Sequence, residues 1–151
     1  MSHNTLLFIF TQVPGFNGEF VSVFIGPAPY FHKFKDNSIV TKEIVKDDVY
    51  AIRKVASDFI LNKEIDSIIL SGGTGITGSD GTPEAIEPLL DKVIDGFGEL
   101  FRLKSFEKIK TSSLQSRALA GVANKTFIFV LPGSIDAVSY THLTLPTKRI
   151  V

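Results

Sequence analysis

The sequence predicts an α/β fold on a mostly parallel sheet, and three observations carry that prediction. The first is a pair of short, largely apolar runs, Ile65 to Leu70 and Phe127 to Leu131, which have the pattern of strands buried on both faces. The second is the way both runs end, each in a glycine-containing loop: Ser71-Gly72-Gly73-Thr74-Gly75 and Pro132-Gly133-Ser134. The third is the alternation of strand-like runs with segments of helical spacing, the order expected when helices cross over between parallel strands. Ligands of open α/β sheets bind at the carboxyl ends of the strands, so residues 71–78 are the first place to look for function. Two buried strands ending in such loops place both loops on the same edge of the sheet.

Residues 1–36 hold Phe8, Phe10, Phe16, Phe20, Phe24, Phe31 and Phe34, interrupted by Pro14, Pro27 and Pro29, which predicts short strands and turns at best. From about Ser38 the pattern becomes regular. Ile39 to Val45 reads as a strand. Asp47 is placed to cap a helix in which Val49, Ile52, Val55, Ala56, Phe59 and Ile60 share one face. Thr82-Pro83-Glu84 starts another helix, with Thr as N-cap, Pro at the first position and Glu near the positive end of the dipole. That helix is expected to run to Leu90 or Asp91. Gly96-Phe97-Gly98 reads as a break before a short helix at Glu99 to Leu103. Ser112 or Ser113 is placed to cap a further helix ending near Gly121.

Composition narrows the function classes. The chain has 151 residues, enough for one domain, and 44% of them are hydrophobic. Its 16 Lys and Arg balance 16 Asp and Glu, so no basic footprint argues for nucleic acid. With no cysteine there is no disulfide, no thiolate catalysis and no Cys-based zinc site; a reducing, cytoplasmic location is compatible. No stretch is long and apolar enough to span a membrane, and Leu6 to Phe10 lacks the flanks of a signal peptide.

Two familiar phosphate motifs almost fit the first loop. Gly73-Thr74-Gly75-Ile76-Thr77-Gly78 matches the spacing of the dinucleotide fingerprint. In that motif the helix opens at the last glycines, whereas here Ser79-Asp80-Gly81-Thr82-Pro83 intervenes. A P-loop needs Lys followed by Ser or Thr, and no Lys is present. What remains is either an ordinary strand-to-helix connection or a backbone cradle for an anion, lined by glycine N–H groups and Thr74. Asp80 is either a solvated turn residue or a ligand for Mg²⁺, since a bare carboxylate beside a phosphate would repel it. Asp47 and Asp48 serve either as cap and first-turn charge or, for Asp47, as a second carboxylate sharing one metal with Asp80. Ser116 and Arg117 lie either on a solvated helix face or beside the anion, where the Arg fork suits a phosphate; Arg102 has the same two readings. His3, His32 and His142 form no metal-ligand spacing and receive no role.

These residues, taken together, resemble the molybdenum cofactor biosynthesis proteins of the MoaB and Mog type. The strings that carry the resemblance are Ser71-Gly72-Gly73-Thr74-Gly75, Asp80-Gly81-Thr82-Pro83-Glu84-Ala85, Gly96-Phe97-Gly98-Glu99-Leu100-Phe101-Arg102, Ser113-Leu114-Gln115-Ser116-Arg117-Ala118, Ala120-Gly121-Val122-Ala123-Asn124-Lys125 and Leu131-Pro132-Gly133-Ser134. They cover residues 38–138 in the family's order. Ser105-Phe106-Glu107 and Gly121 to Lys125 look most like the MoaB branch.

The resemblance implies a three-layer α/β/α domain that binds molybdopterin, usually as a homotrimer or hexamer. It implies transfer of AMP from Mg-ATP to the molybdopterin terminal phosphate, with release of pyrophosphate. The product would then pass to a downstream molybdate-inserting enzyme. By position, Asp80 and Asp47 match the family's catalytic and metal-binding aspartates. Gly72, Gly73, Thr74 and Gly75 match the first binding loop, and Pro132, Gly133 and Ser134 the second. Ser116 and Arg117 fall among the cofactor-binding residues. Transfer at phosphorus depends on positioning and charge neutralisation, so the lack of a cysteine or serine nucleophile is no objection.

Three departures qualify what is implied. The family begins with a strand ending in a Thr-Ser-Asp type motif and an Asp-x-Ser-Gly helix start that holds ATP. Residues 1–37 show neither and read as a frame slip. Residues 139–151, ending Pro146-Thr147-Lys148-Arg149-Ile150-Val151, read as an adapter-derived tail where the family has a helix. On that reading the first strand, an inner one, and the first and last helices are missing, the nucleotide site lacks a wall, and the chain melts without a cooperative transition. Ser79 stands where many active members carry Arg. This favours the rival reading of a module that binds molybdopterin without adenylylating it. A third class, a regulatory domain fused into a larger protein, has no attached domain here to support it.

Overall fold

The computed structural model describes residues 4–12 and 37–133. Among them the chain forms β1 (Asn4–Gln12), β2 (Asn37–Lys46), α1 (Val49–Leu61), β3 (Ser67–Ser71), α2 (Thr82–Ile86), β4 (Lys92–Val93), α3 (Asp95–Ile109), β5 (Leu119–Ala123) and β6 (Thr126–Leu131). Short 3-10 turns come after α2 at Glu87–Leu89 and after α3 at Lys110–Gln115.

The strands make one six-stranded sheet in the order β2-β1-β3-β6-β5-β4. β1 pairs in parallel with β2 and β3, and β3 in parallel with β6. The β5 strand runs antiparallel to both β6 and β4, so the sheet is mixed, with β5 alone opposing the rest. Asn124 and Lys125 turn the β5–β6 hairpin with φ of 47° and 70°, the left-handed conformations that match strand twist.

Strand alternation sorts the core into two layers. Ile68, Leu70, Ile128 and Val130 pack with Ile52 and Ala56 of α1 and Ala85 and Ile86 of α2. Ile69, Phe129 and Leu131 point to the other face, against Phe97 and Phe101 of α3. The three-layer α/β/α expectation is met, because the apolar runs on β3 and β6 supply both faces at once.

Several boundaries depart from the sequence reading. Residues 4–12 form an inner strand, paired on both sides, so the expectation that this strand is missing is corrected. Backbone pairing needs only an extended, β-forming run, and Leu6-Leu7-Phe8-Ile9-Phe10 is one. The expected absence of the ATP-holding helix start and of the C-terminal helix falls on residues outside the described ones. The helix expected to reach Leu90 or Asp91 ends at Ile86 and tightens into a 3-10 turn around Pro88, which has no N–H to donate. Gly96-Phe97-Gly98 is no break: α3 runs through it from Asp95 to Ile109. Gly98 is there for close packing, since a Cβ on it would sit 2.6 Å from the Ala118 carbonyl oxygen. The helix expected to end near Gly121 is instead the 3-10 turn and then β5. At Gly121 a Cβ would come 2.6 Å from the Lys92 carbonyl, so glycine lets β4 and β5 meet.

Candidate functional site

β3 and β6 lie side by side and end together, which brings both loops to one sheet edge. The Gly72 N–H donates to the Leu131 carbonyl at 2.9 Å, and the Ser71 hydroxyl donates to the Pro132 carbonyl at 3.5 Å. Gly133 approaches until its added Cβ would be 3.4 Å from the Gly72 Cα. Gly72 and Gly73 take φ of 106° and 62°, which lets the chain turn back over the strand end. Gly72, Gly73 and Thr74 are buried, and residues 76–79 are exposed. Ser134 lies outside the described residues.

The loop is held from behind by Arg117. Its backbone N–H donates to the Thr74 carbonyl at 3.3 Å. Its Nε donates to the Gly75 carbonyl at 2.8 Å, one terminal nitrogen to the Asp80 carbonyl at 2.7 Å, and the other to Glu84 Oε1. Arg117 thus ties three loop carbonyls and the start of α2 into one frame, most of it through the planar fork. Arg117 is therefore spent on the loop itself. Its neighbour Ser116 has a buried hydroxyl with no hydrogen-bond partner among the described residues, and its carbonyl accepts from Arg102 at 3.4 Å.

The two aspartates reach this edge by different routes. β2 ends at Lys46, and Asp48, not Asp47, is the N-cap of α1, accepting from the Tyr50 and Ala51 N–H groups at 3.1 and 2.9 Å. The cap assignment to Asp47 is thereby corrected by one residue. Relieved of capping, Asp47 turns its carboxylate toward Gly73, where a Cβ would lie 2.9 and 3.1 Å from Oδ1 and Oδ2. Both oxygens are buried, and neither makes a full hydrogen bond among the described residues. Burial raises the Asp47 pKa, only partly opposed by the nearby Gly81 N–H, and the Asp80 charge raises it further. Asp80 is the reverse case. Its Oδ2 accepts from the Thr77 hydroxyl and from the Thr77 N–H at 3.0 Å. The Thr77 hydroxyl bond is the main reason its pKa is lowered, with the Thr77 and Gly75 N–H groups and the Arg117 charge adding to it against a smaller opposing effect of burial.

Asp47, Asp80, the Gly72–Gly75 loop and the Pro132–Gly133 loop therefore meet at one place, as the sequence suggested. Sequence reading did not find Thr77, which orients Asp80, or Glu84, which anchors Arg117. It took Thr82 for an N-cap, but Gly81 occupies that position and the Thr82 hydroxyl makes no cap bond. Among the described residues no three His, Cys, Asp or Glu side chains cluster to form an all-protein metal cage. Asp47, without a partner among the described residues, and Asp80 are the carboxylates at this edge that would hold a hydrated Mg²⁺.

Fold and site together define an α/β domain with paired glycine loops and two carboxylates at the carboxyl edge of its sheet. The family model described as "Probable molybdopterin binding domain" matches residues 35–146. Molybdenum cofactor biosynthesis protein B of Escherichia coli K12 is 54% identical over 99 residues, which are 66% of this chain and 58% of that protein. The Staphylococcus aureus Mu50 protein of the same name is 51% identical over 96 residues, 63% of this chain and 56% of that one. The matched region thus spans less than two thirds of the length of these relatives. The solved structure of the tungsten cofactor synthesizing protein MoaB from Pyrococcus furiosus superposes with a TM-score of 0.78 at 33% identity, covering 95% of this chain and 89% of that one. The chain belongs to the molybdopterin-binding domain family and is of the MoaB/Mog type. No helix among the described residues is long and apolar enough to cross a membrane.

Proposed function

We propose that this chain binds molybdopterin and transfers AMP from Mg-ATP to it in molybdenum cofactor biosynthesis. The observation that carries the reading is the Asp47 carboxylate, buried beside the glycine loops and without a hydrogen-bond partner among the described residues, with Asp80 close enough for its charge to act on it. An uncompensated buried carboxylate is costly to fold and is explained by a cation it receives in function. Asp47 and Asp80 would hold Mg²⁺, which supplies charge neutralisation on the triphosphate.

The chain's own residues do the rest. The backbone of Gly72 to Gly75, framed by Arg117, positions phosphate oxygens, and the Pro132–Gly133 loop closes the other side. A terminal phosphate oxygen of molybdopterin attacks the α-phosphorus of ATP. The bond from that phosphorus to the bridging oxygen breaks, and pyrophosphate leaves with the electron pair. Positioning and fixed charge are sufficient chemistry for this step. The product suits a downstream enzyme that inserts molybdate. The apolar outer side of α3 and the turn after it, with Leu103 63% and Leu114 75% exposed, supports assembly as a homotrimer or hexamer. Pyrophosphate release measured with Mg-ATP and molybdopterin tests the reading: wild type is expected to turn over and Asp80→Asn to stop, while equal turnover in both overturns it.

A second reading, molybdopterin binding without transfer, has its own support. Ser79 is an exposed hydroxyl 3.0 Å from that of Thr77, at the position where the family resemblance implies an arginine in active members. Arg117 is a poor substitute, because each of its nitrogens already donates to the loop or to Glu84. Pterin binding with no AMP transfer under any ATP concentration would favour it.

A further inference from the structure

The Asp47 carboxylate is not the only orphan at Gly73. Thr82 is 0% exposed, and its hydroxyl has no hydrogen-bond partner among the described residues. The Thr82 N–H donates to the Gly73 carbonyl at 3.0 Å, which pulls the two residues together. A Cβ added to Gly73 would lie 2.3 Å from Thr82 Oγ1 and 2.9 Å from Asp47 Oδ1. Both unpartnered oxygens therefore face one small space, and glycine at 73, at φ +62°, is the residue that leaves it open.

A buried hydroxyl without a partner destabilises the fold that contains it, and one orphan beside a second is hard to explain by packing. Other groups nearby have partners: Asp80 has Thr77, Glu84 has Arg117, and Ala85 N–H has the Gly81 carbonyl at 2.9 Å, while the Ser116 hydroxyl beside the Arg117 frame is a further buried oxygen with no partner among the described residues. A carboxylate and a neutral hydroxyl are the oxygen donors a hard divalent cation takes. We propose that the Thr82 hydroxyl supplies a neutral oxygen to the divalent cation that Asp47 holds, as a positioning residue of the site. The inference rests on the reading that Asp47 binds a cation, and adds to it a residue whose sequence context, Gly-Thr-Pro-Glu, reads as a helix cap.

The test uses the full chain, Mn²⁺ alone as the probe, and the variants Thr82→Val, Thr82→Ser and Asp47→Asn. Free Mn²⁺ is counted by its EPR signal, and each variant is melted in metal-free buffer. Valine keeps the shape and removes only the hydroxyl. Thr82→Val is expected to melt at the same temperature as wild type or higher without metal, and to bind Mn²⁺ roughly tenfold more weakly. Thr82→Ser is expected to restore binding. Unchanged Mn²⁺ affinity in Thr82→Val, with Asp47→Asn still weakened, overturns the role of Thr82 and leaves the reading of Asp47 standing. A lower metal-free melting temperature in Thr82→Val also overturns it, because the hydroxyl is then a structural bond. Equal Mn²⁺ binding by wild type and Asp47→Asn overturns the inference together with its premise.

Discussion

Asp80 and Asp47 stand at the same sheet edge in opposite states. Asp80 is part of a closed hydrogen-bonded frame: Thr77 holds its carboxylate, and Arg117 holds its carbonyl along with those of Thr74 and Gly75. Asp47 and Thr82 form an open pair around Gly73, with buried side-chain oxygens that have no hydrogen-bond partner among the described residues. On the proposed reading, the difference separates what builds the site from what is kept for a ligand. A satisfied polar group stabilises the fold, whereas an orphaned one costs stability that only a bound partner returns.

The largest effects come from the carboxylates. Asp47→Asn and Asp80→Asn are each expected to lower pyrophosphate release at least about a hundredfold, through loss of charge neutralisation at the transition state. Their stabilities should diverge. Asp47→Asn removes a buried unpaired charge and is expected to leave the melting temperature at neutral pH unchanged or raised. Asp80→Asn weakens the bonds from Thr77 and is expected to lower it. Thermal melts of both variants check this, and parallel shifts would break the comparison.

Gly73→Ala attacks the open pair by filling it. Its Cβ has no room beside Thr82 and Asp47 and its φ is left-handed, so a destabilisation of about 1–3 kcal/mol in urea titration is expected, with loss of ligand binding. Arg117→Met attacks the frame instead. Losing the fork should cost about 1.5–3 kcal/mol and speed proteolysis within residues 76–80, and Arg117→Lys should not restore protection, because a point charge cannot bridge several carbonyls.

The smallest effect is an acid-side one. The Asp80 pKa lies below its ordinary 3.8, so the stability it contributes is present above that value and is lost as pH falls through the folded value. Thr77→Val should move the Asp80 pKa back up, visible by carboxyl NMR titration, and shrink the loss of stability over that interval. An unmoved pKa would show that Thr77 does not set the charge state of Asp80.

Much of this was legible in the chain. The apolar runs at 65–70 and 127–131, buried on both faces, determined an α/β sheet with two loops on one edge, because a strand with no polar side must be covered twice. The glycines at 72, 73 and 75 and the acids at 47 and 80 pointed to the candidate site by residue type, and the fold brings them to one sheet edge. Local preference misled where long-range pairing decided. The run Leu119 to Ala123 became a strand because β6 and β4 offered it partners, and Gly98 stayed helical where α3 packs closely against Ala118 at the entry to β5. Only the tertiary structure showed that Asp48 rather than Asp47 caps α1, that Arg117 frames the loop, and that Thr82 and Asp47 both face Gly73. Those facts depend on which direction a side chain points and what already occupies its hydrogen bonds. For Arg117 both are set by contacts between residues more than thirty positions apart, and for Asp47 and Thr82 by how each approaches Gly73; no local pattern encodes them.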